Sequence, residues 1–138
     1  MFRIMCKSKI HRATVTKADL HYEGSIGIDK SLLEASNIYA GEIVQVVNIN
    51  NGARFETYVV EEARSSGAIG LYGAAAHLGK AGDIIIIFSY AIIEDNKAVD
   101  LGLKRVLVDS KNRIVNSNGK PNDKKTAGSC FTKGRSSA

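Results

Sequence analysis

The dipeptide Gly24-Ser25 places a hydroxyl nucleophile directly after a glycine. A serine hydroxyl can attack a carbonyl carbon, and once esterified its oxygen can also become a leaving group. The glycine before it has no Cβ to obstruct such an attack and tolerates a strained backbone. Because Gly-Ser is also a common turn dipeptide, these two residues alone do not predict a reaction.

Three other side chains, selected by the family resemblance described below and not by their spacing, have the chemistry to bind or protonate a small anionic molecule. Arg54 can hold a carboxylate through two parallel hydrogen bonds, whereas Lys9 would act as a point charge. The phenol of Tyr58 is protonated at neutral pH and can donate a proton. Each has an ordinary alternative, because the two cations could be surface residues and Tyr58 a half-buried strand residue.

The sequence contains no familiar metal, phosphate or hydrolase motif. Cys6 and Cys130 lie far apart, and neither has a second cysteine or a nearby histidine at the spacing of metal ligands. No HExxH, CxxC, GxSxG or glycine-rich phosphate loop is present. We therefore expect two free thiols and no metal site.

Length and composition predict one soluble globular domain. The chain has 138 residues, of which 44% are apolar and 24% charged, close to the average of soluble proteins. No apolar run approaches the ~18 residues that a membrane span needs, and the first residues lack the apolar segment of a secretory signal. We expect a cytoplasmic protein with no membrane partner.

The positive charge is concentrated at the carboxyl end. The chain carries a net charge of +5. Asp123 is the one acidic residue of the segment 116–138, whose five basic residues are Lys120, Lys124, Lys125, Lys133 and Arg135. This polar segment has too few apolar residues to order itself, so we predict a disordered tail. Nucleic-acid binding through that tail is a weak alternative, and no nucleic-acid partner is predicted.

Stretches rich in β-branched residues, separated by glycine and asparagine turns, predict a mainly β domain. They span residues 10–19, 43–49, 55–60, 68–71, 83–93, 105–109 and 113–115. Asn51-Gly52 gives the strongest hairpin signal. The isoleucine-rich run 84–88 is typical of a strand buried on both faces.

Helical content is predicted to be small. A short helix through Leu32, Leu33 and Ala35 could be capped by Asp29 or by Ser31, and residues 73–79 could form one or two turns. Many short strands with one or two short helices predict a small closed barrel. Periodicity alone does not reach a function.

Several segments at fixed spacing resemble the pyruvoyl-dependent aspartate 1-decarboxylase family. They are KIHRATVT at 9–16, DLHYEGSI at 19–26, LLEA at 32–35, VNINNGARFETY at 47–58, GAAA at 73–76, GD at 82–83 before the isoleucine run, and VLVDSKNRIV at 106–115. Each segment is short, but together they cover residues 1–115 in order. The tail after residue 115 lies outside the resemblance.

The resemblance implies a six-stranded double-psi β-barrel domain over residues 1–115. It implies a homo-oligomer, expected to be a tetramer, with active sites between subunits. It also implies decarboxylation of L-aspartate to β-alanine and CO2, for pantothenate biosynthesis. The implied cofactor is a pyruvoyl group derived from Ser25, with neither a metal nor PLP, and a partner protein that speeds maturation is a further expectation.

The resemblance also implies how this cofactor arises. The Ser25 hydroxyl attacks the Gly24 carbonyl carbon, and the peptide bond shifts to an ester. Loss of the Ser25 α-proton eliminates the ester, and hydrolysis of the dehydroalanine leaves a pyruvoyl group on the chain 25–138, with 1–24 as a separate chain. The substrate amine then forms a Schiff base with that ketone, which is the electron sink when CO2 leaves.

Further site residues follow from the same resemblance. It implies that Ser25 and Tyr58 are catalytic, with Tyr58 as proton donor, and that Tyr22 and His11 support the site; we add Tyr72 to the supporting residues, at a position where the family usually has another residue. The implied substrate-binding residues are Thr57, Gly73, Ala74, Ala75, Arg54 and Lys9. Strand alternation puts Thr57 and Tyr58 on opposite faces, so both reach one site only through a bulge or by serving the sites of different subunits, which we favour.

Tyr72 departs from the family pattern, which usually has Asn before Gly73. That Asn is expected to form hydrogen bonds near the cleavage site and the substrate. Either the Tyr72 hydroxyl reaches the same space, or cleavage or turnover is impaired. The alternative function is therefore a cleavage-deficient, non-catalytic barrel that acts as a binding or assembly module.

Overall fold

The computed structural model describes residues 1–116, 118–121 and 130–133, the last of these as backbone only. The described residues form ten strands: β1 (Phe2–Thr14), β2 (Lys17–Asp19), β3 (Ser25–Asp29), β4 (Ile43–Asn48), β5 (Arg54–Glu62), β6 (Ile69–Tyr72), β7 (Ile84–Glu94), β8 (Gly102–Val108), β9 (Ile114–Val115) and β10 (Cys130–Lys133). The helices are α1 (Lys30–Ser36), α2 (Asp95–Ala98) and a 3₁₀ helix (Gly73–His77). The prediction of a mainly β fold with short helices is confirmed.

The strands form one mixed sheet in the order β10-β8-β1-β7-β4-β5-β3-β6-β2, with β9 beside β8. Only Val15 and Thr16 separate β1 from β2, although these strands lie far apart in the sheet order. The sheet must therefore curve back on itself, and Thr16 N donates to Ile69 O at 2.8 Å where it does so. This topology is consistent with the predicted double-psi barrel, and short strands such as β2 and β9 raise the strand count above the expected six.

The core is one cluster of buried residues that come from several of these strands and from α1. Its fully buried members include Ile10, Ile26, Leu71, Ile85 and Ile87, all 0% exposed. Burying a side chain of this size stabilises the fold by about 1.5–3 kcal/mol. Burial alternates along β7, so the prediction that this run is buried on both faces is wrong. Its neighbours β1 and β4 are antiparallel to it, and antiparallel sheets can leave one face to solvent.

Asp29 begins helix α1 and ties it to a neighbouring loop. Its carboxylate accepts hydrogen bonds from the backbone N–H groups of Ser31 (2.8 Å), Ser65 (2.9 Å) and Gly67 (2.8 Å). Of the two caps that the sequence left open, the structure has Asp29. The helix ends at Ser36 and is capped by Asn37, whose φ of 56° is left-handed.

Strand boundaries differ from the sequence-based ones where long-range pairing decides them. β1 begins at Phe2 because it pairs with β7 as far as Glu94, and it ends at Thr14 rather than continuing to Asp19. β3 was not predicted, although it pairs with both β5 and β6. Its five residues are too few, and one is a glycine, for a clear local signal.

Part of the tail that was predicted to be disordered has a regular conformation. β10 pairs antiparallel with Gly102–Arg105 of β8, whose edge offers unpaired backbone groups. The prediction for residues 117, 122–129 and 134–138 falls outside the described residues, as does that for the Cys130 side chain. In the described part of the chain, no helix is long and apolar enough to cross a membrane.

Candidate active site

Ser25 begins strand β3 and is held by strands on both sides. It is 0% exposed, whereas the preceding Gly24 is exposed. It pairs with Tyr72 in the antiparallel β3–β6 ladder, and the next residue, Ile26, pairs with Val59 of β5. The Ser25 hydroxyl donates to the carbonyl oxygen of Glu23 at 3.1 Å, which leaves the oxygen lone pairs free.

Gly73 lies directly against the backbone of residues 22–24. Its φ is +65°, and a Cβ placed on it would stand 2.6 Å from Gly24 Cα, 2.7 Å from Gly24 N and 2.9 Å from Tyr22 O. Only glycine combines this backbone conformation with so close an approach. Gly73 also begins the 3₁₀ helix, in which Ala74 is exposed and Ala75 buried. The structure thus brings the predicted Gly73 segment to the predicted cleavage dipeptide.

Tyr72 and Tyr22 lie on either side of this dipeptide in the sequence and touch each other in space. Their ring centroids are 4.9 Å apart, at an interplanar angle of 46°. The Tyr72 hydroxyl donates to Glu62 Oε2 at 3.0 Å. Burial, together with this hydrogen bond and the charge of Glu62, raises the pKa of Tyr72 to about 12.

Thr57 and Tyr58 lie on opposite faces of β5. The β4–β5 pairing runs from Ile43↔Tyr58 to Val47↔Arg54 without a register shift, so no bulge brings the two side chains together. Tyr58 shares the outer face with Arg54 because residues four apart alternate back to the same side. The parallel β3–β5 pairing begins at Ile26 and Val59, and extending this register by one residue brings Tyr58 next to Ser25 at the start of β3.

The two predicted substrate cations share one outer face of the sheet. Lys9 pairs with Phe88, and Phe88 pairs in turn with Gln45, so the three side chains form a row across β1, β7 and β4. The Lys9 ammonium lies 5.9 Å from the Phe88 ring centroid. Arg54 Nη1 donates to Gln45 Oε1 at 3.0 Å, and the Tyr90 hydroxyl donates to the same oxygen at 2.7 Å.

His11 is half-buried on β1, and its Nδ1 is buried with no hydrogen-bond partner among the residues that the structure describes. Burial lowers the pKa of His11, and the positive charges of Lys9, Arg12 and Arg105 lower it further. His11 lines a cavity together with Arg12 and Leu107. Within the described ranges, no hydrogen bond joins it to the residues around Ser25, so its supporting role stays a prediction.

The predicted residues therefore form two groups within one chain. Tyr22, Gly24, Ser25, Tyr72 and Gly73 form the first, and Lys9 and Arg54 share the outer face that forms the second. Tyr58 lies on that outer face and also beside Ser25, so it links the two groups. Thr57 points to the other side of β5. The residues that the structure describes include no group of three or more His, Cys, Asp or Glu side chains that could hold a metal ion.

Sequence reasoning missed the partners of these residues. Glu62 holds the Tyr72 hydroxyl, and Gln45 with Tyr90 holds Arg54. These pairs join different strands, and no local spacing signals them. Gly27 and Gly70 were also missed, although a glycine inside a predicted strand, such as Gly70, is a known sign of close approach by another group.

Comparison with known proteins identifies close relatives. A model of the family described as "Aspartate decarboxylase" matches residues 1–115. The aspartate 1-decarboxylase of Thermoanaerobacter pseudethanolicus is 57% identical over 116 residues, which cover 84% of this chain and 99% of the relative. That of Pelotomaculum thermopropionicum is 56% identical over 115 residues, covering 83% of this chain and 87% of the relative.

Proposed function

The chain belongs to the aspartate decarboxylase family, and from this premise we propose that it converts L-aspartate to β-alanine and CO2 with a pyruvoyl group made from its own Ser25. The two relatives are named aspartate 1-decarboxylase and are 57% and 56% identical to this chain over 84% and 83% of its length. Identity at this level over most of this chain and most of each relative supports the same reaction.

The setting of Ser25 is the observation that carries the proposal. Its side chain is buried, its hydroxyl proton is engaged by Glu23 O, and Gly24 is confined by the backbone of Gly73. Such confinement favours an intramolecular attack, because the reacting groups lose little further freedom. A small ketone in place of the serine side chain fits this buried position, because it has no more heavy atoms than the hydroxymethyl group and the amine that it replaces.

Cleavage proceeds through atoms of residues 24 and 25. Ser25 Oγ attacks the Gly24 carbonyl carbon, the C–N bond breaks, and the nitrogen takes up a proton as the amine of residue 25. Removal of the Ser25 α-proton then breaks the bond between Ser25 Cβ and the ester oxygen. This oxygen leaves with Gly24 as a carboxylate, and residue 25 becomes a dehydroalanine. Addition of water and loss of ammonia give the pyruvoyl group.

The pyruvoyl ketone supplies the electron sink for decarboxylation. The chain's own residues bind and orient aspartate around it. Arg54 can hold one substrate carboxylate through two hydrogen bonds, and Lys9 attracts the other as a point charge. Tyr58, which stands beside Ser25, can donate the proton that replaces CO2. Gly73 packs against Gly24, and we propose that the segment of Gly73, Ala74 and Ala75 contacts the substrate through its backbone N–H groups, because small side chains permit close approach.

We propose further that the site is completed by a second copy of the chain. Thr57 and Tyr58 face opposite sides of β5, so one of them would serve the site of a neighbouring subunit. A homotetramer with sites between subunits would use both faces. Cytoplasmic residence, a role in supplying β-alanine for pantothenate and acceleration by a maturation factor are also part of this proposal.

A second candidate function is a non-catalytic barrel that never cleaves itself. The hydrogen bond of the Tyr72 hydroxyl to Glu62 favours this candidate, since that hydroxyl is then not available to Ser25. Such a chain would stay intact and still assemble.

Intact-mass analysis of the purified, aged protein distinguishes the two functions. We expect fragments 1–24 and 25–138, with a pyruvoyl mass on the larger one, release of β-alanine from L-aspartate, and inactivation by hydroxylamine. Ser25→Ala should abolish both cleavage and β-alanine release, whereas Ser110→Ala, at an exposed serine, should change neither. An intact parent chain that releases no β-alanine would refute the proposed function and leave the non-catalytic barrel.

A further inference from the structure

The side chain of Tyr72 fills a gap over two glycines that face each other. Gly27 of β3 pairs with Gly70 of β6. A Cβ on Gly70 would stand 2.4 Å from the Tyr72 hydroxyl oxygen, and a Cβ on Gly27 would stand 2.8 Å from Tyr72 Cε2. The ring therefore lies directly on the backbone of both strands. Glycines weaken a strand pair because they bring no side chains to pack, and a covering aromatic ring compensates for this loss.

The ring extends away from Ser25. The Tyr72 hydroxyl lies over Gly70, two residues back along β6, whereas Ser25 pairs with Tyr72 itself. Two residues of a strand span about 7 Å. The hydroxyl donates to Glu62 Oε2 at 3.0 Å at that distant position. The Tyr72 hydroxyl therefore points towards Gly70 and Glu62 and not towards Ser25.

Another side of the same ring, which is buried overall, contacts the segment that ends at Gly24. The Tyr22 ring lies 4.9 Å from it between centroids, and Lys17 Nζ lies 5.9 Å from its centroid. Both contacts come from residues 1–24, whereas Tyr72, Glu62 and the two glycines are in the rest of the chain. Aromatic pairs and cation–π contacts of this kind are attractive, so the ring holds this segment in place.

We propose that Tyr72 is a positioning residue for self-cleavage, acting through its ring and not through its hydroxyl. The ring is fixed on the Gly27–Gly70 pair by its packing and by Glu62, and it holds Tyr22 two residues before the Gly24 carbonyl. The carbonyl is thereby kept within reach of Ser25. This inference rests on the proposed function, because it concerns the rate of the same cleavage.

Three variants separate the ring from the hydroxyl. Tyr72→Phe keeps the ring and should cleave within about threefold of the parent rate. Tyr72→Leu removes the ring contacts and should cleave at least tenfold more slowly, which is about 1.4 kcal/mol of barrier. Tyr39→Leu, at a tyrosine that is 74% exposed, is the matched control and should cleave as the parent does. Cleavage is followed by intact mass from freshly folded chain, with circular dichroism to establish that each variant is folded.

Tyr22→Leu provides a second test, because it leaves the packing of Tyr72 on Gly27, Gly70 and Glu62 intact. It tests the role of the ring contact even if Tyr72→Leu does not fold. It should also slow cleavage at least fivefold. Parent-like cleavage of Tyr22→Leu, or of folded Tyr72→Leu, would overturn the inference, as would a Tyr72→Phe chain that cleaves as slowly as Tyr72→Leu. A parent chain that never cleaves overturns the proposed function itself, and the inference with it.

Discussion

Gly73 and Gly24 pack backbone against backbone, with no room for a side chain between them. The Cβ that an alanine would add at Gly73 falls 2.6 Å from Gly24 Cα. The obstacle is main chain, which cannot rotate away as a long side chain can. The start of the 3₁₀ helix therefore confines the peptide that we propose to be cleaved.

Gly73→Ala should slow self-cleavage at least tenfold. The added methyl group must displace Gly24 or the segment before it, and so it would disturb the geometry of the attack by Ser25. The substitution also places a side chain at a φ of +65°, at a cost of about 1–2 kcal/mol. The rate is measured by intact mass over time.

Gly82→Ala is the matched control for that variant. Gly82 has a φ of +96° but no atom within 4 Å of its added Cβ. Gly82→Ala should therefore lose about as much stability as Gly73→Ala and still cleave at the parent rate. Equal cleavage rates for the two alanine variants would contradict the role that we assign to Gly73.

Gln45→Leu should weaken aspartate binding more than it slows turnover. Gln45 Oε1 accepts hydrogen bonds from both Arg54 and Tyr90, so it fixes the direction of the Arg54 guanidinium. Loss of one exposed hydrogen bond to a charged group is worth about 1 kcal/mol, and we therefore expect KM to rise about fivefold with kcat within twofold. Steady-state kinetics on fully cleaved enzyme measure both constants.

Two further variants bracket the Gln45 result. Tyr90→Phe removes only the second donor and should raise KM by less than Gln45→Leu. Asn96→Ala, at an exposed residue of α2, should leave both constants unchanged. A kcat that falls as much as kcat/KM in Gln45→Leu would show that Gln45 affects the reacting groups rather than Arg54.

Local patterns predicted the elements that depend on nearby residues. The Asn-Gly turn between β4 and β5 and the isoleucine run of β7 were recognised because turn chemistry and β-branched residues act over a few positions. β3 was missed because its place is fixed by Val59 and Leu71, which lie more than thirty residues away. Pairing of that range leaves no periodic signal in five residues.

The residues of the candidate site also differ in whether the sequence alone could identify them. Ser25, Tyr58 and Arg54 were found from the family resemblance, whereas Glu62 and Gln45 become visible only once the strand register is known. Tyr72 was recognised as a departure, but the direction of its ring depends on Gly27, which is forty-five residues away in the sequence and opposite Gly70 in the sheet. The sequence could raise that question but not answer it.

Folding stability should decrease as the pH falls through the ordinary pKa of histidine, because of His11. Its pKa is lowered by burial and by three nearby cations, so the unfolded chain binds a proton more readily than the folded one. Stability then rises with pH where the unfolded state holds more protons. The stability that the lowered pKa of His11 contributes is fully present above about pH 6.5 and is lost progressively as the pH falls below it.

Denaturant unfolding of uncut Ser25→Ala chain at pH 7.5 and 5.5 measures this effect. His11→Gln in the same background should reduce the difference between the two pH values, whereas His21→Gln, at an exposed histidine, should not. A pH dependence that is the same with and without His11 would contradict the assignment.

Asn112 should be among the most costly polar residues to replace, because it joins three parts of the fold. It is 2% exposed, and its side-chain oxygen accepts from Thr14 N at 2.7 Å. Its side-chain nitrogen donates to Thr14 O and to Gly67 O, both at 2.8 Å. At about 1 kcal/mol net for each hydrogen bond, and more where a buried partner is left unsatisfied, Asn112→Ala should cost about 3–4 kcal/mol.

Asn37→Ala separates the hydrogen bonds of Asn112 from its backbone conformation. Both residues have positive φ, 60° at Asn112 and 56° at Asn37, but Asn37 is exposed, and its side chain forms no hydrogen bond with the part of the chain that the structure describes. Asn37→Ala should therefore lower the free energy of unfolding only by the cost of an alanine in left-handed backbone, about 1 kcal/mol. Denaturant unfolding in the uncut Ser25→Ala background gives both values. Their difference is the contribution of the junction between the end of β1 and the loop at Gly67, and equal losses would show that Asn112 acts through its backbone alone.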